Sequence, residues 1–448
     1  MIGERPARNE KRAVRHRPPM VGDFTAVILA VALAVVGLVR VARVDGPILP
    51  RRGSAVETVL TLKSDPSRFG MMVRADGETS TATLEVVAFG ARGRQLERRA
   101  AGEQLHVIGF IEGKSRPHLR LVAIADWSAG SPLSRSANRV RSTMSLGVAN
   151  LPADDRSLFL GLVLGDDRGQ RRETVAAFRH AGLSHLTAVS GQNVAYILVL
   201  LRPLLQRFTM RRRWVATTLV ILWFAVLTRL EPSVLRASVM AIVALTSRLL
   251  GREIRPWRLI ALTVGTLAVI TPSVLVAPGF WLSLSATSGL LLLSPRLSRM
   301  IPAPAVVAEA IGATLAAQIG VLPIQLLLFG VPSPIALPAN LLAGPVAGLV
   351  MVWGLPAGLL AGVVRPIWPP LANVVTFPAL LGTRWVSAVA TVAASVPTPL
   401  AWLATAAMLV WAVARLRSSR DGFCAPGEGI RRVARGHGAA RSRAPLGW

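Results

Sequence analysis

The chain has 448 residues, is 52% hydrophobic and carries a formal net charge of +28, yet charged residues make up only 17% of it. Long stretches therefore lack charge, in keeping with a mean hydropathy of +0.50. That excludes an ordinary soluble basic protein and a disordered tail protein; the single Cys424 excludes a disulfide scaffold, and what remains is a polytopic membrane protein with basic loops and ends.

Residues 1–23 are polar and basic, and residues 24–43 hold an apolar stretch of spanning length. The flanking charge predicts an uncleaved first span with its N-terminus in the cytoplasm. Residues 44–130 change character: "SAVETVLTL", "TATLEVVAF", "EQLHVIGFI" and "HLRLVAIADW" alternate apolar and polar residues between turn signals. Several short strands in so short a stretch predict a small all-β barrel of OB type, outside the cytoplasm. Residues 131–182 open on a basic amphipathic segment with Leu133, Ala137, Val140, Met144 and Val148 at helical spacing. It suits either a helix in the membrane interface or a linker helix packed on the barrel.

From 183 to 415 apolar runs alternate with Pro, Gly and Arg, and 416–448 is a second basic tail. Spans are expected at 183–206, 214–230, 233–250, 258–272, 279–294, 305–329, 335–364, 370–395 and 399–415, the seventh of these, 335–364, being long and interrupted by Pro. With 24–42 this makes an α-helical protein of about ten spans, whose basic loops and both termini lie in the cytoplasm of a bacterial cell.

The segment 179–194, "RHAGLSHLTAVSGQNV", sets His185, Ser190, Gly191, Gln192 and Asn193 at the entrance of an apolar run. Ser190-Gly191 can break the helix there, freeing backbone groups to line a cavity. Polar groups at membrane depth either satisfy one another or face a path, and both readings stay open. A serine hydrolase using Ser190 and His185 fits poorly: the two are five residues apart, with no nucleophile elbow. Further on, Arg236 sits just inside a span, where it must snorkel, pair with Glu231 or face a polar lumen suited to an anion. Ser283, Gln318 and Asn340 place further polar groups in apolar runs. The six histidines form no metal-binding pattern, so no metal or cofactor is expected.

"FLGLVLGD" (159–166), "FRHAGLSHLTAVSGQNV" (178–194), "PSVLRASVMA" (232–241), "PGFWLSLSATSGL" (278–290), "AQIGVLPIQLLLFG" (317–330) and "ANLLAGPVAG" (339–348), in this order, resemble the ComEC family of bacterial competence proteins. The resemblance covers roughly 138–415 and implies an inner-membrane channel for single-stranded transforming DNA rather than an enzyme. The family's Leu-His after Ser-Gly is replaced here by Gln192-Asn193, so no role of that histidine carries over. Larger members add a metallo-β-lactamase-like domain. Its absence after the last span here leads to the expectation that degradation of the other strand falls to a separate nuclease. The resemblance further implies a DNA receptor and a cytosolic helicase motor as partners, besides membrane lipid and possible homo-oligomers. Candidate pathway residues are His185, Ser190, Gly191, Gln192, Asn193, Arg236, Ser283, Gln318 and Asn340; candidate DNA contacts on the barrel are Arg68, Phe89, Arg92, Arg94, Phe110 and Arg116. A transporter of another anionic solute or polymer is the main rival.

Overall fold

The computed structural model describes residues 32–37, 39, 53–79, 83–113, 118–397, 399–403 and 406. The two basic tails, most of 24–43, the end of the expected last span, and Arg51, Arg52 and Arg116 lie outside the described residues.

The N-terminal unit is a barrel-like sheet of β1 (Ala55–Leu62), β2 (Ser67–Phe69), β3 (Met72–Glu78), β4 (Thr83–Phe89), β5 (Gln104–Glu112) and β6 (His118–Ser128), with helix α1 (Gly90–Glu97) between β4 and β5. The order is β1-β5-β6-β4-β3-β2, and pairing of β1 with β3 brings the ends together. Only β4–β6 is parallel. Five main strands, closed in this Greek-key manner, make an OB-like barrel. Leu60, Val86, Leu96, Leu105 and Leu119 fill it. The strands missing from the sequence reading are β2, only three residues long, and β3. The inward residues of β3, Val73, Ala75 and Gly77, are small, which hides the alternation. Small size is required there: a β-carbon on Gly77 would come within 3.0 Å of Leu60 and 3.2 Å of Val86.

Helices follow: α2 (Pro132–Gly147), α3 (Ala153–Leu164), α4 (Arg172–His180), the single turn α5 (Ser184–Thr187), α6 (Gly191–Leu205), α7 (Met210–Leu227), α8 (Pro232–Leu249), α9 (Pro256–Ile270), α10 (Pro278–Met300), α11 (Ala305–Phe329), α12 (Ala336–Val364) and α13 (Pro369–Ser395). Four of them, α8, α11, α12 and α13, are long and apolar enough to cross a membrane. The α6 and α9 helices are apolar but shorter.

Helix α2 begins at Ser131, whose side chain accepts the backbone N–H of Ser134, with Pro132 in the first turn. Its apolar stripe, Ala137 and Met144 together with Val148 beyond its end, is buried in the helical core. A β-carbon on Gly147 would strike the Gly358 carbonyl and one on Gly362 that of Thr143, so α2 and α12 meet backbone to backbone. The same device joins α10 to α11, where Gly289 and Gly320 face each other.

Helix α12 continues through Pro345 and Pro356, and α13 through Pro378. A proline removes one ladder bond and disturbs the carbonyls before it. The Leu342 carbonyl, three residues before Pro345, accepts the indole N–H of Trp385 on α13 at 3.1 Å. The Val375 carbonyl, three before Pro378, accepts that of Trp353 on α12, also at 3.1 Å. Each bent helix thus satisfies the other, and 335–364 is one helix rather than a broken one.

Two buried clusters organise the helices. The larger draws on α2–α4, α6–α8, α12 and α13. The smaller centres on Phe280 with Leu267, Leu275 and Leu284, and Leu33 packs on it. Helix α8 serves both, through Val234 and Ala237 on one side and Leu235 and Val239 on the other.

Candidate functional site: a buried arginine at the start of a broken helix

The chain breaks between α5 and α6. Ala188 and Ser190 are extended, and Ser190 makes no side-chain cap, its Oγ lying 3.4 Å from Asn193 Oδ1. Helix α6 therefore starts at Gly191 without a side-chain cap, the Asn193 N–H alone reaching the Ser190 carbonyl (3.0 Å), and this start is the positive end of its dipole. Glycine is required there by space. A β-carbon would lie 2.8 Å from Ala237 Cβ and 3.3 Å from the Arg236 guanidinium.

Arg236 is only 4% exposed. It donates to Ser283 Oγ from Nε (3.1 Å) and Nη2 (2.5 Å), to Thr287 Oγ1 (2.8 Å) and to Met240 Sδ (3.2 Å). No carboxylate pairs with it among the described residues. Glu231 is not its partner, which corrects the expected ion pair. An isolated buried guanidinium is costly. Here it lies at the seam of the two clusters, between α10 and the start of α6, held by hydroxyls that leave its charge uncompensated. That arrangement fits an oxyanion.

The hallmark segment is fastened around it. Ser233 Oγ donates to the Val189 carbonyl at 2.5 Å. Gln192 donates to the Tyr196 hydroxyl. Asn193 is buried. Asn340 Nδ2 reaches the carbonyls of Ala336 (2.7 Å) and Gly182 (3.5 Å), bracing the turn before α5. His185 is exposed on α5 and forms no hydrogen bond to Ser190 among the described residues. Gln318 lies on α11, whose packing against α10 runs through Gly289 and Gly320, and no contact joins it to Arg236 among the described residues. The structure thus brings together Gly191, Ser190, Asn193, Arg236 and Ser283, with Asn340 behind them, and leaves His185 and Gln318 aside. No group of three metal-ligating side chains occurs among the described residues.

The barrel is less basic than single residues suggested, since residues 53–128 hold ten Lys or Arg against nine Asp or Glu. Its outer cations are mostly paired: Arg68 with Glu97 (2.5 Å), Arg74 with Glu85 (3.7 Å) and Arg120 with Glu112 (3.0 Å). Arg92 and Arg94 are exposed on α1 without an ion pair among the described residues. Register sets Phe69, Met72 and Phe89 in one row, and Arg74, Val87, Arg120 and Phe110 in the next, on the same face. Phe69, Phe89 and Phe110 are exposed, and Arg74 lies 3.9 Å over the Phe69 ring.

A second charged centre, not anticipated from sequence, joins barrel to helices. Asp65, in the β1–β2 loop, accepts from Arg229 Nη2 (2.7 Å) and Nε (3.0 Å), from Arg141 Nη2 (3.1 Å) and from the Ala101 N–H (2.9 Å). Arg141 also reaches Asp166 (2.9 Å) and the carbonyls closing α3 and α7, Leu164 and Leu227. Arg168 binds Asp166 at 2.6 Å. Burial alone would raise the Asp65 carboxyl, but Arg141, Arg229 and Arg168 override this and hold it at about 2. The only sequence signal was that Asp65-Pro66 marks a turn and Asp166 ends a motif; no spacing connects them.

The family model described as Competence protein matches residues 162–420. The chain belongs to the competence protein family. Among curated members of related sequence, ComE operon protein 3 of Bacillus subtilis (strain 168) is 30% identical over 212 residues, covering 47% of this chain and 27% of that protein. The uncharacterized protein YcaI of Escherichia coli (strain K12) is 24% identical over 231 residues, covering 48% of this chain and 30% of its own length. The matched stretch thus spans under a third of either relative. No solved structure matches. The competence-family match includes α6, α8 and α10, the helices that meet at Arg236.

Proposed function

We propose that this chain forms the inner-membrane path by which single-stranded DNA enters the cell during competence. The observation that carries the reading is Arg236: a buried guanidinium with hydroxyl partners and no carboxylate, beside the uncapped start of α6, in a competence-family chain. Both features favour a phosphodiester oxygen. The barrel would receive the strand on its outer face, bases against Phe69, Phe89 and Phe110, phosphates against Arg92 and Arg94. In this reading about ten spans surround the path, both termini are cytoplasmic and the barrel is outside. A cytosolic helicase motor would pull the strand and a DNA receptor deliver it.

The test is uptake of labelled DNA into the cytoplasm after Arg236→Ala and Gly191→Leu. Both lose uptake at unchanged protein level. Normal uptake in both removes these roles, and normal transformation in a deletion strain favours transport of another anionic polymer.

A further inference from the structure

The Asp65 cluster has a feature that barrel docking alone does not require. The turn between α7 and α8 is built from two left-handed residues that are not glycine, Arg229 (φ 63°) and Leu230 (φ 55°). Helix ends of this kind usually take glycine, because a β-carbon is strained there. Such a conformation persists where surrounding contacts over-determine it. The Leu230 side chain supplies little of this, being 48% exposed. The backbone bonds Leu230 N to Ala225 O (2.8 Å) and Arg229 N to Val226 O (3.1 Å) would form with glycine equally well. What glycine could not supply at this turn is the bidentate grip of Arg229 on Asp65.

The turn leads straight into the site. Glu231 precedes α8, Pro232 opens it, Ser233 ties it to the Val189 carbonyl, and Arg236 follows one turn on. On the other side, the Asp65 loop leads directly into β2, which carries Arg68 and Phe69, in the part of an OB barrel that meets oligonucleotides. We propose that Asp65 is a positioning residue: through Arg229 the first loop of the barrel holds the left-handed turn, and the turn sets where α8 presents Ser233 and Arg236 to the start of α6. A ligand that moves this loop therefore moves the hallmark segment. The inference depends on the DNA reading only for the identity of that ligand.

The test uses the full chain in native membranes, with Cys424→Ser and a single reporter, Ser190→Cys, labelled by a maleimide. Asp65→Asn keeps the shape and one acceptor oxygen but loses the charge. It raises the labelling rate on the order of tenfold, the change that corresponds to one strained left-handed residue. Adding Leu230→Gly, which makes the turn comfortable without Asp65, returns the rate to within about twofold of the parent. An unchanged rate in Asp65→Asn overturns the proposal. A raised rate that Leu230→Gly does not reverse also overturns it, leaving Asp65 as a docking contact only. If Asp65→Asn does not accumulate, Arg229→Lys keeps the charge, loses the bidentate fork and is read the same way. DNA uptake scored in strains that carry the same Asp65, Leu230 or Arg229 substitutions with Ser190 intact separates the two readings. Altered labelling with normal uptake sustains the positioning role and refutes the use of the hallmark by DNA.

Discussion

Gly191→Ala is the smallest change that challenges the geometry around Arg236. The added methyl would sit 2.8 Å from Ala237 Cβ and 3.3 Å from the guanidinium. Carbon–carbon contact is comfortable near 3.5–4.0 Å, so α6 and α8 must part by roughly 1 Å. Neither can do so freely, because Ser233 ties α8 to Val189. Overpacking of this kind costs about 1–3 kcal/mol, which is roughly a five- to 150-fold loss of the correctly packed state if that state competes with a splayed one. The assay is paired: thermal melting of purified protein in detergent, and uptake of labelled DNA in cells. Gly191→Ala lowers both. Ala237→Gly, which removes the atom struck, restores them in the double variant, although alone it costs about 1 kcal/mol as a glycine in a helix. A wild-type melting point in Gly191→Ala, or no rescue by Ala237→Gly, would show that Gly191 is not there to let α6 and α8 approach.

Three further outcomes follow from the same contacts. Gly289→Ala places a methyl on the Ala316 carbonyl and 3.0 Å from Gly320 Cα, so it forces α10 from α11 and destabilises by about 1–3 kcal/mol, measured by detergent melting. Trp385→Phe keeps the ring but leaves the Leu342 carbonyl beside Pro345 without its donor, a loss of about 1 kcal/mol that Ser387→Ala, away from the helix pair's indole bonds, does not share. Asp65 is held at about 2 against an ordinary 3.8. A depressed carboxyl stabilises the fold above its unfolded value and ceases to do so as pH falls through the folded one. About 2 kcal/mol of stability is therefore present at pH 5 and lost between pH 4 and 2, and Asp65→Asn flattens that part of the melting profile.

Much of the helical architecture could be read from hydropathy. The expected 305–329 coincides with α11, and 233–250 and 370–395 each fall within a residue of α8 and α13. Runs of apolar residues announce themselves because nothing else explains them. The expected 214–230 begins at Met210 instead, since the Arg211–Arg213 cluster that marked a loop is the first turn of α7. For 131–150 the stripe was legible, and of the two settings expected for it the barrel contact is present, through Asn138 on the Ala101 carbonyl and Arg141 on Asp65. Its second partner, α12, is reached through glycines, which leave no hydrophobic signature. The break at Ser190-Gly191 and the interest of Arg236 were both visible, because a polar group in an apolar run is conspicuous. Ser283 as partner of Arg236 was not deducible, as 47 residues separate them. The Asp65–Arg229 pair spans 164 residues, and each member alone looks like an ordinary loop charge.

The large positive charge that opened the account is mostly outside the site. Residues 53–128 are close to neutral, and the arginines that matter are few and individually placed, Arg236 buried among the helices and Arg92 and Arg94 exposed on the barrel. In the proposed reading, attraction for a polyanion would rest on single guanidinium groups rather than on bulk charge.

The most direct measurement is translocation of fluorescent single-stranded DNA into liposomes reconstituted with the full chain, against protein-free liposomes and against Arg236→Ala. Nuclease-protected DNA is expected inside the wild-type vesicles only, with little in Arg236→Ala vesicles despite equal incorporation. Equal protection with Arg236→Ala, or none above protein-free vesicles under a driving gradient, would contradict the proposed path.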